Sequence, residues 1–171
     1  HNVLGNYTAE ALDEALNNVE MDDDEADIKL PEWMNRVILA FRYKDDPKGE
    51  IEGIDTNGTL ENTLWEAFYA ECAKSPCRFI RAWYAFHNSL RNISAAYIAR
   101  LRKLSVAEQL VGHGEVVRML AQSSAADFGL RGEIEYIDSI VALLEMKNML
   151  EKEQRLDQIR WAKATELTDF D

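Results

Sequence analysis

The sequence is poor in the residues that interrupt helices. It holds only three prolines and eight glycines in 171 residues. Its apolar residues recur every three or four positions, which is the period of an amphipathic helix. No apolar run approaches the ~18 residues that a membrane-spanning helix needs, and no segment has the pattern of a secretory signal peptide. Together these features predict an all-α fold without a membrane span.

One long segment contains no acidic residue at all. Residues 76–104 carry five arginines and one lysine but neither aspartate nor glutamate. Since the whole chain carries a net charge of −12 and this segment carries +6, the remainder carries −18. A basic segment in so acidic a protein meets either acidic helices of its own chain or an acidic partner. The acidic helix predicted at 59–73 is the internal candidate, whereas solvent-facing arginines would favour a partner surface.

Motifs for catalysis and metal binding are also missing. The two cysteines, Cys72 and Cys77, have no second pair and no nearby histidine to complete a zinc site, and we expect them to be reduced. No Glu-x-x-His pair, nucleophile elbow or phosphate-binding loop occurs. His87 lies among aromatic residues and is interpreted as a packed or hydrogen-bonded histidine. We therefore predict no catalytic residue, no cofactor and no metal site.

The N-terminal part is strongly acidic. Residues 10–27 hold nine carboxylates and no cation, an excess that would repel phosphate and argues against nucleic acid as the main partner. The run at 22–25 is interpreted as a solvated linker, because a calcium loop would need a central glycine. We predict an N-terminal helix and acidic linker over 1–30 and a helical domain over 31–171. The chain starts at His1 rather than Met, so we expect it to be a piece of a longer protein.

The helix signals predict an irregular helical bundle with short connecting helices. Thr8, Pro31 and Thr59 are typical residues for the starts of three helices, and Ser105 and Ser124 begin two capping-box patterns. Two long helices are expected, one at about 76–104 and one at about 133–165.

The first long helix carries one apolar stripe, and its members recur at steps of three and four residues. They are Phe79, Trp83, Phe86, Leu90, Ile93, Tyr97, Leu101 and Leu104. Arg81, Arg91 and Arg102 point nearly opposite and are predicted partner-binding residues. Arg100 lies beside the stripe, where it needs a carboxylate or carbonyl partner.

The second long helix is apolar in its first half and densely charged in its second half. We expect the first half to pack and the second half to project or to contact another chain. Arg160 and Trp161 stand in the charged half as candidate interface residues. Packing of Trp161 on a neighbouring helix is the alternative.

Several short segments resemble a known family. Residues 90–103 (LRNISAAYIARLRK) and 105–112 (SVAEQLVG) are similar to a helix and following short helix of the funnel-shaped, rotor-coupling subunit of V-type ATPases. Residues 5–10, 127–133 and 156–161 resemble an uncharacterised bacterial family encoded among V-type ATPase subunits. In that family further sequence usually precedes and follows these segments, so the resemblance fits a trimmed chain.

The resemblance implies a function through protein partners. It implies a non-catalytic helical adaptor that couples or stabilises the connection between the rotor and the membrane ring, cytoplasmic and peripheral to the membrane through its partner subunits. It assigns Arg91, Asn92 and Arg100 to the motif, with Asn92 as a hydrogen-bonding residue in helix packing. Two alternatives remain open: a helical scaffold unrelated to ATPases, and a helical bundle that binds a small ligand in a pocket such as one around His87.

Overall fold

Every regular element in the described part of this computed structural model, residues 8–20, 29–46 and 51–169, is helical. This confirms the predicted all-α fold. In chain order the helices are α1 (Ala9–Asn17), α2 (Glu32–Arg42), α3 (Leu60–Ala73), α4 (Arg78–Arg102), α5 (Glu115–Gln122), α6 (Ile137–Glu145) and α7 (Met149–Thr168). Single 3₁₀ turns lie at Asn18–Glu20 and Ala107–Gln109. No helix within these ranges is both long and apolar enough to cross a membrane.

The chain divides into two compact units, residues 1–68 and 69–171. The predicted domain arrangement, an N-terminal helix with an acidic linker over 1–30 followed by a helical domain over 31–171, stays a prediction. The reason is that residues 21–28, which contain most of the acidic run, lie outside the described residues.

The first unit is built on short helices whose starts follow the sequence signals. The Thr8 side chain caps α1 by accepting a hydrogen bond from the Ala11 N–H at 3.2 Å. Pro31 stands at the N-cap of α2, and Thr59 accepts from the Asn62 N–H at 3.2 Å at the start of α3. Arg42 Nη2 then donates to the Leu16 carbonyl at 2.9 Å and ties α2 to the end of α1.

Aromatic rings pack within this unit. The rings of Trp33 and Phe68 lie 6.1 Å apart, and those of Trp65 and Phe68 lie 5.8 Å apart in an edge-on arrangement. Such tilted contacts are the favoured geometry of aromatic pairs in a core. Trp33 and Trp65 therefore contribute to the packing of this unit.

The second unit is organised around α4. Its core combines one face of that helix with residues from α5, from α6 and from the segment that joins them. The buried members are Phe86, Leu90, Ile93, Ala96, Leu120, Phe128, Leu130, Ile134, Ile137 and Ile140.

The predicted stripe of α4 is buried at its centre but not at its end. Leu90 and Ile93 are almost fully buried, whereas Leu101 and Leu104 are 68% and 51% exposed. The prediction was wrong for these last two positions, because the buried face of α4 shifts toward Asn92 and two alanines, Ala96 and Ala99, near the C-terminus. The small alanine side chains let the following segment approach on that side.

The second predicted long helix is interrupted. The region of 133–165 forms α6 and α7, which are separated at residues 146–148, and α6 begins at Ile137. Met146 is extended, and the Asn148 side chain accepts from the N–H groups of Leu150 and Glu151 at 3.1 and 3.3 Å. Asn148 followed three residues later by Glu151 is a helix-start signal that the apolar periodicity concealed.

Both capping-box patterns form less helix than predicted. The one at Ser105 leads only to the 3₁₀ turn at Ala107–Gln109, and the one at Ser124 leads to successive turns. The backbone groups that a longer helix would satisfy internally therefore need other partners, which come from α4.

The two cysteines, on either side of the turn between α3 and α4, are free.

Candidate partner-binding site

Asn92 fastens the segment after α4 to that helix. It is the single polar residue buried among the described residues, with 1% of its surface exposed. Its Nδ2 donates to the Val111 carbonyl at 2.9 Å, and its Oδ1 accepts from the Val111 N–H at 2.9 Å. A second bond from Nδ2 reaches Asn88 Oδ1 at 3.1 Å. The side-chain amide thus replaces the backbone partner that Val111 would have in a longer helix.

Arg100 fastens the next loop, which begins at Ser123, to α4. Its Nη1 donates to the Ala125 carbonyl and its Nη2 to the Ser123 carbonyl. The guanidinium carbon lies 3.6 Å from the ring centroid of Phe128, a cation–π contact. Burial lowers the pKa of Arg100, and the two carbonyls and the ring compensate its charge. The expected carbonyl partner of Arg100 is therefore confirmed.

The loop that Arg100 holds has an unusual backbone. Phe128 is fully buried and has a φ of +58°, a conformation that costs energy for a bulky residue. The Asp127 side chain accepts from the Gly129 N–H at 3.0 Å, and this bond closes the turn. The strained residue is kept in place by its ring, which lies in the core beneath Arg100.

His87 is a hydrogen-bonded residue, as predicted. Its Nδ1 lies 2.9 Å from the Tyr69 hydroxyl, and the Tyr84 ring stands edge-on to the imidazole at 6.3 Å. Burial, with smaller contributions from the positive charges of Arg160 and Arg91, lowers the pKa of His87. Burial also raises the pKa of Tyr69 to about 12. A neutral imidazole carries one N–H, so the Tyr69 hydroxyl donates to Nδ1 when that proton is on Nε2 and accepts from Nδ1 when the proton is there.

The predicted partner-binding arginines of α4 fall into different environments. Arg81 is exposed and donates to the carbonyls of Ser75 and Pro76 at 2.6 and 2.9 Å, beside the start of its own helix. Arg91 is half-buried near His87, and Arg102 is exposed. Exposure of all three arginines is the arrangement expected to favour a partner surface, and Arg81 and Arg102 meet it whereas Arg91 does not.

Arg160 and Trp161 lie on α7. Arg160 is half-buried, and its Nη1 is 3.4 Å from the Asp157 carboxylate. Trp161 is 78% exposed, the most exposed large apolar side chain among the described residues. No helix in the described part of the chain covers it, and its role at an interface stays a prediction.

An open groove of about 560 Å³ runs between α6 and α7. Its walls combine small side chains with amides and with the Glu151–Arg155 ion pair, which measures 3.4 Å. The lining residues include Ser139, Ala142, Gln154, Gln158 and Ala162. The ligand-binding alternative predicts a pocket such as one around His87, and the residues that line this groove do not include that histidine.

No group of three or more potential metal-ligating side chains occurs in the described ranges.

The residues that sequence reasoning did not single out are Lys103 and Phe128, the two non-glycine residues with positive φ in the described part of the chain. Neither position carried a signal, because glycine is the usual residue in this conformation and its absence conceals the turn.

Comparison with known proteins gives one match. A family model described as "Protein of unknown function (DUF2764)" matches residues 1–171. No curated protein matches the chain, and no solved structure does.

Proposed function

The chain belongs to the DUF2764 family of proteins of unknown function, and we propose that it is a non-catalytic adaptor of a V-type ATPase, similar to the rotor-coupling subunit of that complex. In this role it couples or stabilises the connection between the rotor and the membrane ring through contacts with other subunits. The proposal includes no catalysis by the chain itself.

One observation carries the proposal. The two segments that resemble the rotor-coupling subunit, residues 90–103 and 105–112, are joined by the paired hydrogen bonds between Asn92 and Val111. The two segments therefore form one physical unit in which a helix holds the segment after it, which supports treating the likeness as a single motif. Asn92 and Arg100, which the resemblance assigns to the motif, are also the residues whose side chains hold the loops.

The exposed side chains supply places for partner contact. Trp161 on α7 and Arg102 at the end of α4 both face solvent. Tryptophan and arginine are the residues that most often dominate the energetics of interfaces. These two positions are the proposed contact residues, together with Arg81, Arg91 and Arg160 as weaker candidates.

The proposal is tested by purifying the tagged protein from cells that produce it naturally, followed by mass spectrometry of co-purifying proteins. We expect V-type ATPase subunits to be enriched over an untagged control. Trp161→Ala should reduce that enrichment, whereas Leu150→Ala, another exposed residue of α7, serves as the matched control. Preparations that contain the tagged chain but no ATPase subunit would refute the proposal.

A further inference from the structure

The C-terminal end of α4 presents apolar and basic side chains together. We call this surface the basic tip and define it as Ile98, Leu101, Arg102, Lys103 and Leu104. The three apolar residues are 41%, 68% and 51% exposed in chain order, and both cations are exposed. Ile98 stands three positions before Leu101 and four before Arg102, so these exposed side chains share one side of α4. An exposed apolar cluster of this kind, bordered by charge, is typical of an interaction site.

At the basic tip, Lys103 has an energetically unfavourable backbone conformation. Lys103 ends α4 with a φ of 57°, and the Leu104 N–H donates to the Ala99 carbonyl at 2.9 Å. This is the Schellman arrangement, in which glycine is the usual residue at the left-handed position. The chain has a lysine there despite the cost of the left-handed conformation for a residue with a side chain. Strain of this kind is found preferentially at functional positions.

The number of cations decides which class of partner fits the tip. Recognition of anionic lipid usually needs a cluster of four to eight basic residues. The tip offers two, because Arg100 is already engaged by the carbonyls of Ser123 and Ala125. The net charge of −12 would also oppose the approach of the whole chain to an anionic bilayer. A short acidic, apolar protein segment suits the tip better.

Helix α1 has those properties. It carries Glu10, Asp13 and Glu14 and no cation over its length. Leu12 and Leu16, one turn apart, are each 39% exposed. A pair of leucines four residues apart forms a ridge that can pack against Ile98 and Leu101, three residues apart on the partner helix. Asp13, beside that ridge, is complementary in sign to Arg102 and Lys103, whereas Glu10 and Glu14 lie on the other side of α1.

We propose that α1 of one copy of this chain docks on the basic tip of a second copy. The leucines of α1 cover the apolar residues of the tip, and Asp13 faces Arg102 and Lys103. The contact joins two different surfaces, so it closes into a ring or continues as a chain of copies, depending on the rotation between them. The inference does not depend on the proposed ATPase partners.

The test is the mass of the protein in solution as a function of concentration, measured by size-exclusion chromatography with light scattering. The wild type should rise above the single-chain mass of 19.6 kDa with increasing concentration. R102E/K103E should weaken the association about tenfold or more, and D13K should weaken it by a smaller factor, since each variant reverses charge at an interface of exposed ion pairs. An equimolar mixture of the two variants should associate more strongly than either one alone, because each supplies the charge that the other has reversed.

Two further variants separate this contact from other causes. R118E/K147E makes the same change in net charge at exposed residues outside the tip and should associate as the wild type does. Lys103→Gly removes one cation and suits the left-handed backbone, so weaker association of this variant cannot be attributed to misfolding. A wild type that keeps the single-chain mass at every concentration overturns the proposal, as does a control variant that dissociates as readily as R102E/K103E.

Discussion

The middle of α4 and its last turn differ in how they place polar and apolar side chains. In the middle, the amide of Asn92 is buried and makes two hydrogen bonds to one backbone residue, Val111. In the last turn, Leu101 and Leu104 face solvent while Arg100, one residue before Leu101, reaches back to the following loop. In the middle of α4 the apolar Leu90 and Ile93 are buried together with this amide, whereas in the last turn the leucines lie outside.

The difference follows from what surrounds each part of the helix. The segment from 105 to 134 contains little regular helix besides α5, so its carbonyl and N–H groups need side-chain partners. Asn92 and Arg100 supply them, and their polarity is required inside. Apolar residues in the last turn have no such role in folding, which leaves them available for contact with another chain.

The largest expected effect is at Asn92. Asn92→Ala removes both hydrogen-bond partners of Val111, and each buried group left without a partner costs about 1–3 kcal/mol. We expect the free energy of unfolding to fall by about 3 kcal/mol in urea denaturation, and the Val111 amide to exchange faster with solvent. Asn88→Ala, one turn earlier on α4, loses only the half-buried 3.1 Å bond and should cost about 1 kcal/mol or less. Equal losses in the two variants would contradict the special role of Asn92.

The next effect is at Arg100. Arg100→Lys keeps the charge but cannot bind two carbonyls and stack on Phe128 at once, so we expect a loss of about 1–2 kcal/mol. The near-ultraviolet signal or the methyl and ring resonances of the 123–130 loop should change more than those of α1. Arg118→Lys, at an exposed arginine of α5 that pairs with Glu115, is the matched control and should change stability little. A stability of Arg100→Lys equal to the wild type would show that the guanidinium geometry is dispensable.

The free energy of unfolding should also depend on pH, through His87 of α4. Because burial lowers its pKa in the folded protein, the unfolded chain takes up the proton first as the pH falls below about 6.5. Stability is therefore fully present above that pH and is lost toward acid, with a slope of at most about 1.4 kcal/mol per pH unit. His87→Asn should show a shallower decline between pH 7 and 5 in urea denaturation. Identical pH profiles for the two proteins would exclude this histidine as the source.

A substitution of Lys103 is expected to stabilise the protein, by less than the losses expected at Asn92 and Arg100. Lys103→Gly relieves the left-handed strain at the end of α4 and should raise the free energy of unfolding by about 0.5–1 kcal/mol. Lys103→Ala removes the same charge without relieving the strain, so it should not stabilise the protein. Stabilisation by both variants would indicate repulsion among cations instead of strain as the cause.

The smallest change in the free energy of unfolding is expected at Leu101, one of the two exposed leucines of the basic tip. Leu101→Ser should change stability by less than about 0.5 kcal/mol, because the side chain is 68% exposed. Leu90→Ser, on the buried face of the same helix, provides the contrast and should be strongly destabilising. A large loss of stability in Leu101→Ser would remove the distinction between the two parts of α4.

The helical class, the starts of α1 and α3, and the buried centre of α4 were predictable from the sequence, because local caps and periodicity determine them. The exposure of Leu101 was not, since a stripe identifies one face of a helix but not how far a neighbour extends along it. The break before Asn148 was missed because apolar periodicity continues across it. The side-chain bonds of Asn92 and Arg100 to distant carbonyls depend on tertiary structure, although the need of Arg100 for a partner was evident from its position beside the apolar stripe.

The two thiols offer a way to follow these contacts experimentally. Cys77 is exposed, whereas Cys72 is half-buried and burial raises the pKa of its thiol. Since the thiolate is the reactive form, a maleimide dye added at neutral pH should attach first to Cys77, immediately before α4. A single fluorescent probe can thus be placed there without mutation, and energy transfer between labelled molecules would report association in real time.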